Sequence, residues 1–181
     1  MSQTLFQTER LLIRPWARAD REALWRIYAD DEVTGFIPGL HLPHREGLGP
    51  RVEQLLALEY PPGQGVWAIV ERATAETIGT LLLKQVPDGD GGRLDEVEVG
   101  WHLARSAWGR GYATEAGAGA LRYGFDVLAL PSIYAIADAG NVRSLAVMER
   151  LGMKRIGQID RFYGEHAEAA VIHRADWRAP R

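Results

Sequence analysis

The 181-residue chain contains no cysteine. Disulfides, thiolate metal sites, iron–sulfur clusters and a cysteine acyl-enzyme are therefore excluded. Lysine is nearly absent as well. Only Lys84 and Lys154 occur, and neither follows a G-x-x-x-x-G-K-[ST] loop, which removes the P-loop phosphate site. A surplus of one charge is also missing. The 21 Lys and Arg against 24 Asp and Glu leave −3, which argues against a general electrostatic grip on nucleic acid. No apolar run approaches the roughly 20 residues of a membrane span. The start, MSQTLFQTERLLIR, lacks the basic and apolar stretches of a signal peptide. The expectation is a cytoplasmic protein with no nucleic-acid or membrane partner.

The composition is that of an ordinary soluble domain, 46% hydrophobic and 25% charged. At roughly 150 residues per domain, residues 1–181 read as one domain. There is no repeat and no low-complexity tract. Residues 5–14 read as a strand, interrupted by the polar Thr8-Glu9 and ended by Pro15. Asp20 reads as the N-cap of a helix over 21–30, and residues 35–50 as loop or broken helix. A second helix around Val52–Leu58 stops at Pro61-Pro62. Strands are expected at 66–70 and 77–83, joined as a hairpin, and at 96–103, where Gly100 suggests a bulge or a close backbone approach. A helix over 112–128 has a small-residue face, as close packing on a sheet demands; each of its glycines costs about 1 kcal/mol against Ala. A strand at 132–137 precedes a helix capped by Asn141 and stopped by Gly152. Strands at 153–162 and 168–174, joined by a turn at 163–165, complete a mixed α/β order with a parallel pair around the helix from Tyr112.

The chemistry concentrates in one stretch, Glu98-Val-Gly-Trp-His-Leu-Ala-Arg-Ser-Ala-Trp-Gly-Arg-Gly-Tyr-Ala-Thr-Glu-Ala116. A strand runs through a loop into a glycine-rich turn and then a helix. Gly109 and Gly111 clear the backbone for a ligand, and the free N–H groups and dipole of the helix start favour phosphate. A plain tight turn without ligand fits the same letters. A dinucleotide fold fits less well: Thr114 stands where the third glycine belongs, and the acid after the next strand, Asp138, lies 27 positions beyond Gly111.

Trp108-Gly109-Arg110-Gly111-Tyr112-Ala113-Thr114-Glu115-Ala116 resembles the acyl-CoA-binding motif of the GNAT N-acetyltransferases. Glu98-Val-Gly-Trp101, Asn141-Val-Arg-Ser144, Glu149-Arg-Leu-Gly-Met153, Thr8-Glu-Arg-Leu11 and Arg174-Ala-Asp-Trp177 are similar to its ribosomal-protein alanine acetyltransferase-like branch. The likeness covers nearly the whole chain, least at 35–65 and 160–168. It implies a GNAT-like fold: a central, mostly antiparallel sheet with flanking helices, whose fourth and fifth strands form a splayed parallel pair. The pantetheine of acetyl-CoA would fill the splay as an added strand. Backbone groups of Trp101 and Leu103 would meet pantetheine and thioester, and Trp108, Gly109, Arg110, Gly111, Tyr112, Ala113 and Thr114 would hold the pyrophosphate. The family pattern Arg/Gln-x-x-Gly-x-Gly/Ala falls on Trp108, Gly111 and Ala113, so Trp108 departs from it.

The implied reaction is direct transfer of acetyl from acetyl-CoA, as co-substrate and without a metal, to a primary amine. Glu98 is the candidate base; its bland alternative is a solvent-facing strand carboxylate beside Glu96. The family often places a tyrosine at the position of Met148, which has no proton to give. Asn141 and Ser144 then remain as catalytic and cofactor-binding candidates near the thiol, with helix capping as the bland role of Asn141. His102 reads as substrate contact or simple burial, and Tyr163 as lid or turn packing. The His41-Leu-Pro-His44 pair lacks an acid to complete a metal motif. The acceptor stays open among a protein N-terminus, an aminoglycoside-type antibiotic, a polyamine and another small amine. A catalytically idle acyl-CoA- or nucleotide-binding module is the other class, and a homodimer is compatible with the family.

Overall fold

The computed structural model describes residues 4–37, 39–163 and 167–178. Its first element is a hairpin of β1 (Phe6–Gln7) and β2 (Leu11–Pro15), where the sequence suggests one strand over 5–14 interrupted at Thr8-Glu9. The break has a tertiary cause. Glu115, more than a hundred residues away, accepts from the Thr8 hydroxyl at 2.6 Å, the Arg10 N–H at 2.8 Å and Arg10 Nε at 2.6 Å, and so fixes the turn.

Helix α1 (Arg21–Tyr28) begins after Asp20, yet Asp20 does not cap it with its side chain. Its carboxylate instead takes the Arg14 guanidinium in two bonds of 2.7 Å, the Thr77 hydroxyl and the Ala17 N–H. After the short α2 (Asp31–Thr34), α3 (Leu48–Leu56) starts inside the stretch expected to be loop. Pro50 falls in its first turn, where a missing N–H costs nothing.

β3 (Gly65–Glu71) and β4 (Thr77–Pro87) form the expected hairpin, and β5 (Arg93–Leu103) pairs antiparallel with β4. Gly100 is not a bulge but a close approach, where a Cβ would meet the Leu82 side chain at 2.9 Å. It stands in register opposite Leu82, and the irregularity of that ladder lies at Gln85–Pro87.

α4 (Tyr112–Asp126), β6 (Ser132–Ala137), α5 (Val142–Arg150), β7 (Lys154–Ile159) and β8 (Ala167–His173) follow. Gly164 and Glu165 of the expected last turn lie outside the described residues. The eight strands form one sheet in the order β1-β2-β3-β4-β5-β6-β8-β7, antiparallel except between β5 and β6.

Both faces of the sheet are covered. On one, Leu81, Leu83, Val99 and Leu103 pack under Ala116, Ala120 and Leu121 of α4. The small-residue face does what close approach requires: a Cβ on Gly124 would stand 2.6 Å from Ile133. On the other face, Ala68 and Val70 meet Leu24, Ile27, Leu48 and Val52 of α1 and α3. Alternation along β5 therefore sends Val97, Val99, Trp101 and Leu103 toward α4, and Glu98, Gly100 and His102 toward α1.

Candidate active site

β5 and β6 are joined at a single residue pair, Glu98 opposite Tyr134. Beyond it the two strands part, leaving the end of β5 at Trp101 to Leu103 without a β6 neighbour in register. A cleft of about 1940 Å³ runs through this opening, from the start of α4 on one face to α1, α2 and α3 on the other.

At the α4 end, Gly109 and Gly111 adopt left-handed backbone, with φ of 74° and 79°. Gly111 is the residue before the helix and supplies no side-chain cap. The first N–H groups of α4, from Tyr112 to Thr114, are therefore free to meet a ligand. A Cβ on Gly109 would meet nothing within 4 Å, so its left-handed backbone and not crowding favours glycine there. Cations surround this cradle of N–H groups. Arg150 donates to the Thr114 hydroxyl at 2.9 Å, and Arg143 lies 4.5 Å over the Trp108 ring. Arg110 is committed elsewhere, to Glu71 at 2.8 Å, and Tyr112 is a core residue whose hydroxyl also donates to Glu71. Their contribution to the cradle is backbone. The Trp108 indole N–H donates to the Leu103 carbonyl at 2.9 Å, which ties the turn to the end of β5 and uses one of that oxygen's two lone pairs. The cradle's free donors and cations match a pyrophosphate, and the parted strands match an extended arm.

On the opposite face the register Lys84–Glu98, Leu82–Gly100 and Thr80–His102 stacks a row of polar groups. Glu98 is not a solvent-facing strand residue: it is 3% exposed, and Lys84 beside it 8%. Lys84 Nζ lies 2.6 Å from Glu98 Oε1 and 2.8 Å from the Tyr163 hydroxyl, which itself donates to Glu98. Burial and then the Glu98 charge push the Tyr163 phenol far up, so it remains a donor. One step along, the Tyr28 hydroxyl donates to Thr80 at 2.8 Å and lies 2.9 Å from His102 Nδ1. With the Tyr28 proton on Thr80, Nδ1–H of His102 donates to Tyr28 and Nε2 keeps a free lone pair. Burial, reinforced by the Lys84 charge, lowers His102 from 6.5 to about 4, so the ring is neutral at pH 7. Burial also raises Tyr28 to about 12, against the pull of Thr80 and Arg51.

Asn141 caps α5: its side-chain oxygen accepts the Ser144 N–H at 3.1 Å. The amide N–H₂ stays available. Asn141, Ser144 and Met148 all line the cleft, with Met148 2% exposed. Glu98, Asn141, Ser144 and the 108–114 turn thus share one cleft. Lys84, Thr80, Tyr28 and Arg51 also line this site or hydrogen-bond into it, and the sequence reading does not single them out. One signal was available for the first: Lys84 is one of two lysines and sits in the apolar run Leu81-Leu-Leu-Lys-Gln-Val86. Among the described residues no three His, Asp or Glu side chains converge as a metal site, and no helix is long and apolar enough to cross a membrane.

Comparison with known proteins agrees with this geometry. The family model described as the acetyltransferase (GNAT) domain matches residues 10–154. An uncharacterized N-acetyltransferase of Bacillus subtilis is 26% identical over 159 residues, covering 87% of each chain. An Aspergillus fumigatus protein named FsC-acetyl coenzyme A-N(2)-transacetylase is 28% identical, over 86% of this chain and 67% of its own. The crystal structure of an acetyltransferase from Agrobacterium tumefaciens superposes with a TM-score of 0.75 at 28% identity, covering 93% of both chains. With a parallel pair parted over a glycine-turned helix start and a family match spanning most of its length, the chain belongs to the GNAT family of acetyltransferases, enzymes that draw on acetyl-CoA.

Proposed function

We propose that the protein is a one-domain N-acetyltransferase that moves acetyl from acetyl-CoA to a primary amine in a ternary complex. The observation that carries this reading is the parting of β5 and β6 beyond Glu98–Tyr134, with an anion cradle on one side and a buried polar row on the other. The free N–H groups of α4, with Arg143 and Arg150 near them, hold the pyrophosphate. The exposed edge of β5 at Trp101 and Leu103 positions the pantetheine and supplies a fixed backbone donor for the thioester oxygen. Bound acetyl-CoA supplies an activated acetyl group; no metal is required by this scheme.

The acceptor enters from the side of α1 to α3. An ammonium has no lone pair, so its proton must first leave. Glu98, at the fork, receives it through a water, while Lys84 and Tyr163 hold the carboxylate in one orientation. The Asn141 amide and Ser144 hydroxyl, at the positive end of α5, face the sulfur as it gains charge. The reading of an idle binding module has no counterpart among the relatives named above.

The test is thiol release from acetyl-CoA with a panel of amines, coupled to mass spectrometry of the acetylated product. Acceptor-dependent release above hydrolysis is expected. Tight acetyl-CoA binding with no release for any amine overturns the reading.

A further inference from the structure

The acceptor side of the cleft is walled by apolar side chains. Phe36 and Leu58 are among the exposed large hydrophobic residues, at 39% and 43%, and Leu40 and Leu55 stand beside them. Its charges are few and mostly cancelled. Glu98 is matched by Lys84, and Glu32 by Arg105 at 2.5 Å. His102 is neutral. Asp138, at the end of β6, accepts the Gly140 N–H at 2.7 Å close to Phe36 and carries no cation among the described residues.

Arg51 of α3 is the opposite case. Its guanidinium donates to the Gln54 side chain at 2.8 Å and to the Gly39 carbonyl at 3.3 Å, and among the described residues no carboxylate pairs with it. The other cations that line the cleft lie toward the α4 end or are matched, as Lys84 is by Glu98, so Arg51 is the unmatched cation on this side among the described residues. Arg51 lines the cleft, and its charge acts on the Tyr28 phenol, one hydrogen bond from His102. Its two bonds leave other N–H groups of the planar guanidinium for a planar anion.

We propose that the acceptor is a small amine that also carries a carboxylate on an apolar frame, of the amino-acid type, and that Arg51 binds the carboxylate. This rests on the N-acetyltransferase reading above and narrows its acceptor. A polyamine or aminoglycoside would bring only positive charge toward Arg51, and a protein N-terminus offers no fixed carboxylate near its amine. Asp138 stands at the end of β6 and Arg51 on α3, so a zwitterion meets a complementary sign at each end.

The experiment uses the full chain, acetyl-CoA and matched pairs of amines: phenylalanine, leucine and 6-aminohexanoate, each against its carboxamide. The series also reads the spacing between amine and carboxylate. At least one acid is expected to exceed its amide in kcat/KM by about tenfold or more. Arg51→Gln should collapse that ratio toward one, chiefly by raising KM for the acid on the order of 10- to 100-fold, the range of charge-assisted hydrogen bonds. Arg51→Glu should invert it. Melting temperature and acetyl-CoA affinity of both variants serve as folding controls. Amides used as well as acids by the unaltered protein, or an acid preference that survives Arg51→Gln, overturn the proposal. So does turnover confined to peptides, which would leave the N-acetyltransferase reading standing; acetyl-CoA binding with no turnover of any amine sinks both.

Discussion

The two ends of the cleft are built by different means. The α4 end is local: eight consecutive residues, Trp108 to Glu115, place its turn and its free N–H groups, and backbone does most of the work. The opposite end, to which we assign the acceptor, is assembled from Tyr28, Arg51, Lys84, Glu98, His102 and Tyr163, brought together by strand register and by helices packed on one face. A backbone site tolerates changes of side chain but not of backbone conformation. A side-chain site behaves in the opposite way, and its groups depend on one another.

That dependence makes Glu98→Gln the largest expected effect. Loss of a general base lowers kcat by about 10²–10⁴-fold. The same change strands Lys84 without a counter-charge, and breaking a buried pair costs about 3–5 kcal/mol of stability. The two consequences separate in Glu98→Gln combined with Lys84→Met. This double variant should recover much of the melting temperature while kcat stays low, and acetyl-CoA affinity by calorimetry should hold near the unaltered value in both. Recovery of kcat with stability would reduce Glu98 to a structural partner of Lys84.

His102 gives the next effect, read through pH. Its folded value near 4 lies below the ordinary 6.5 of an unfolded chain. Between those values the unfolded chain binds more protons, so stability falls as the solution is acidified from pH 6.5 through 4 and is fully present above 6.5. A difference of this size is worth about 3 kcal/mol at about 1.4 kcal/mol per pH unit. Urea unfolding at a series of pH values should show the loss, and His102→Gln should remove most of it. Asp20 and Glu115 act in the same direction at lower pH. Burial works upward on each carboxyl, but Arg14 and Thr77 for Asp20, and Thr8 and Arg10 for Glu115, hold both below the usual range. An unchanged acid slope in His102→Gln would mean that the ring is not kept neutral by its surroundings.

At the other end, Gly111→Val should act through the backbone. A Cβ there would find only Arg10 Nη2 at 3.5 Å, an ordinary contact, so space is not the obstacle. The obstacle is φ of 79°, which costs a branched residue roughly 1–2 kcal/mol and turns the following N–H groups away from the cradle when relieved. Acetyl-CoA affinity should weaken by about 2 kcal/mol, the worth of a charge-assisted hydrogen bond or two. Equal losses from Gly111→Val and Glu98→Gln in acetyl-CoA affinity would erase the distinction between the two ends.

The same distinction governs what the sequence discloses. The turn at 108–114, the Asn141 cap and the alternation of 96–103 are visible because each is a local pattern whose physics needs few partners. The break at Thr8–Arg10 shows only as a polar interruption of the strand pattern, since no glycine, proline or Asn-Gly pair marks a turn and Glu115 makes it from across the chain. Asp20 carries the letter of a cap, yet the nearer charge of Arg14 outcompetes the helix N–H groups for it. Glu98 is visible as a candidate, but its burial depends on Lys84 fourteen residues earlier and Tyr163 sixty-five later. Periodicity gives the face of a side chain and not what waits there.

The smallest effects belong to α5, where local and assembled features overlap. Asn141 uses its oxygen as the helix cap, bound to the Ser144 N–H, and keeps its amide N–H₂ for the cleft. Asn141→Ala therefore loses about 1 kcal/mol of capping together with any contact to sulfur. Ser144→Ala removes only the hydroxyl, for water or the Asn141 amide fills part of its role, and kcat should fall about tenfold. Met148, 2% exposed beside them, has no proton to donate, so in the proposed scheme the burden rests on these two groups and the positive end of α5. Asn141→Asp discriminates between the roles. It preserves the cap acceptor and the melting temperature, but it sets a negative charge where a thiolate forms, so kcat should drop further than in Asn141→Ala. If Asn141→Asp keeps both stability and kcat, Asn141 is only a cap, and solvent takes up the charge on the departing sulfur.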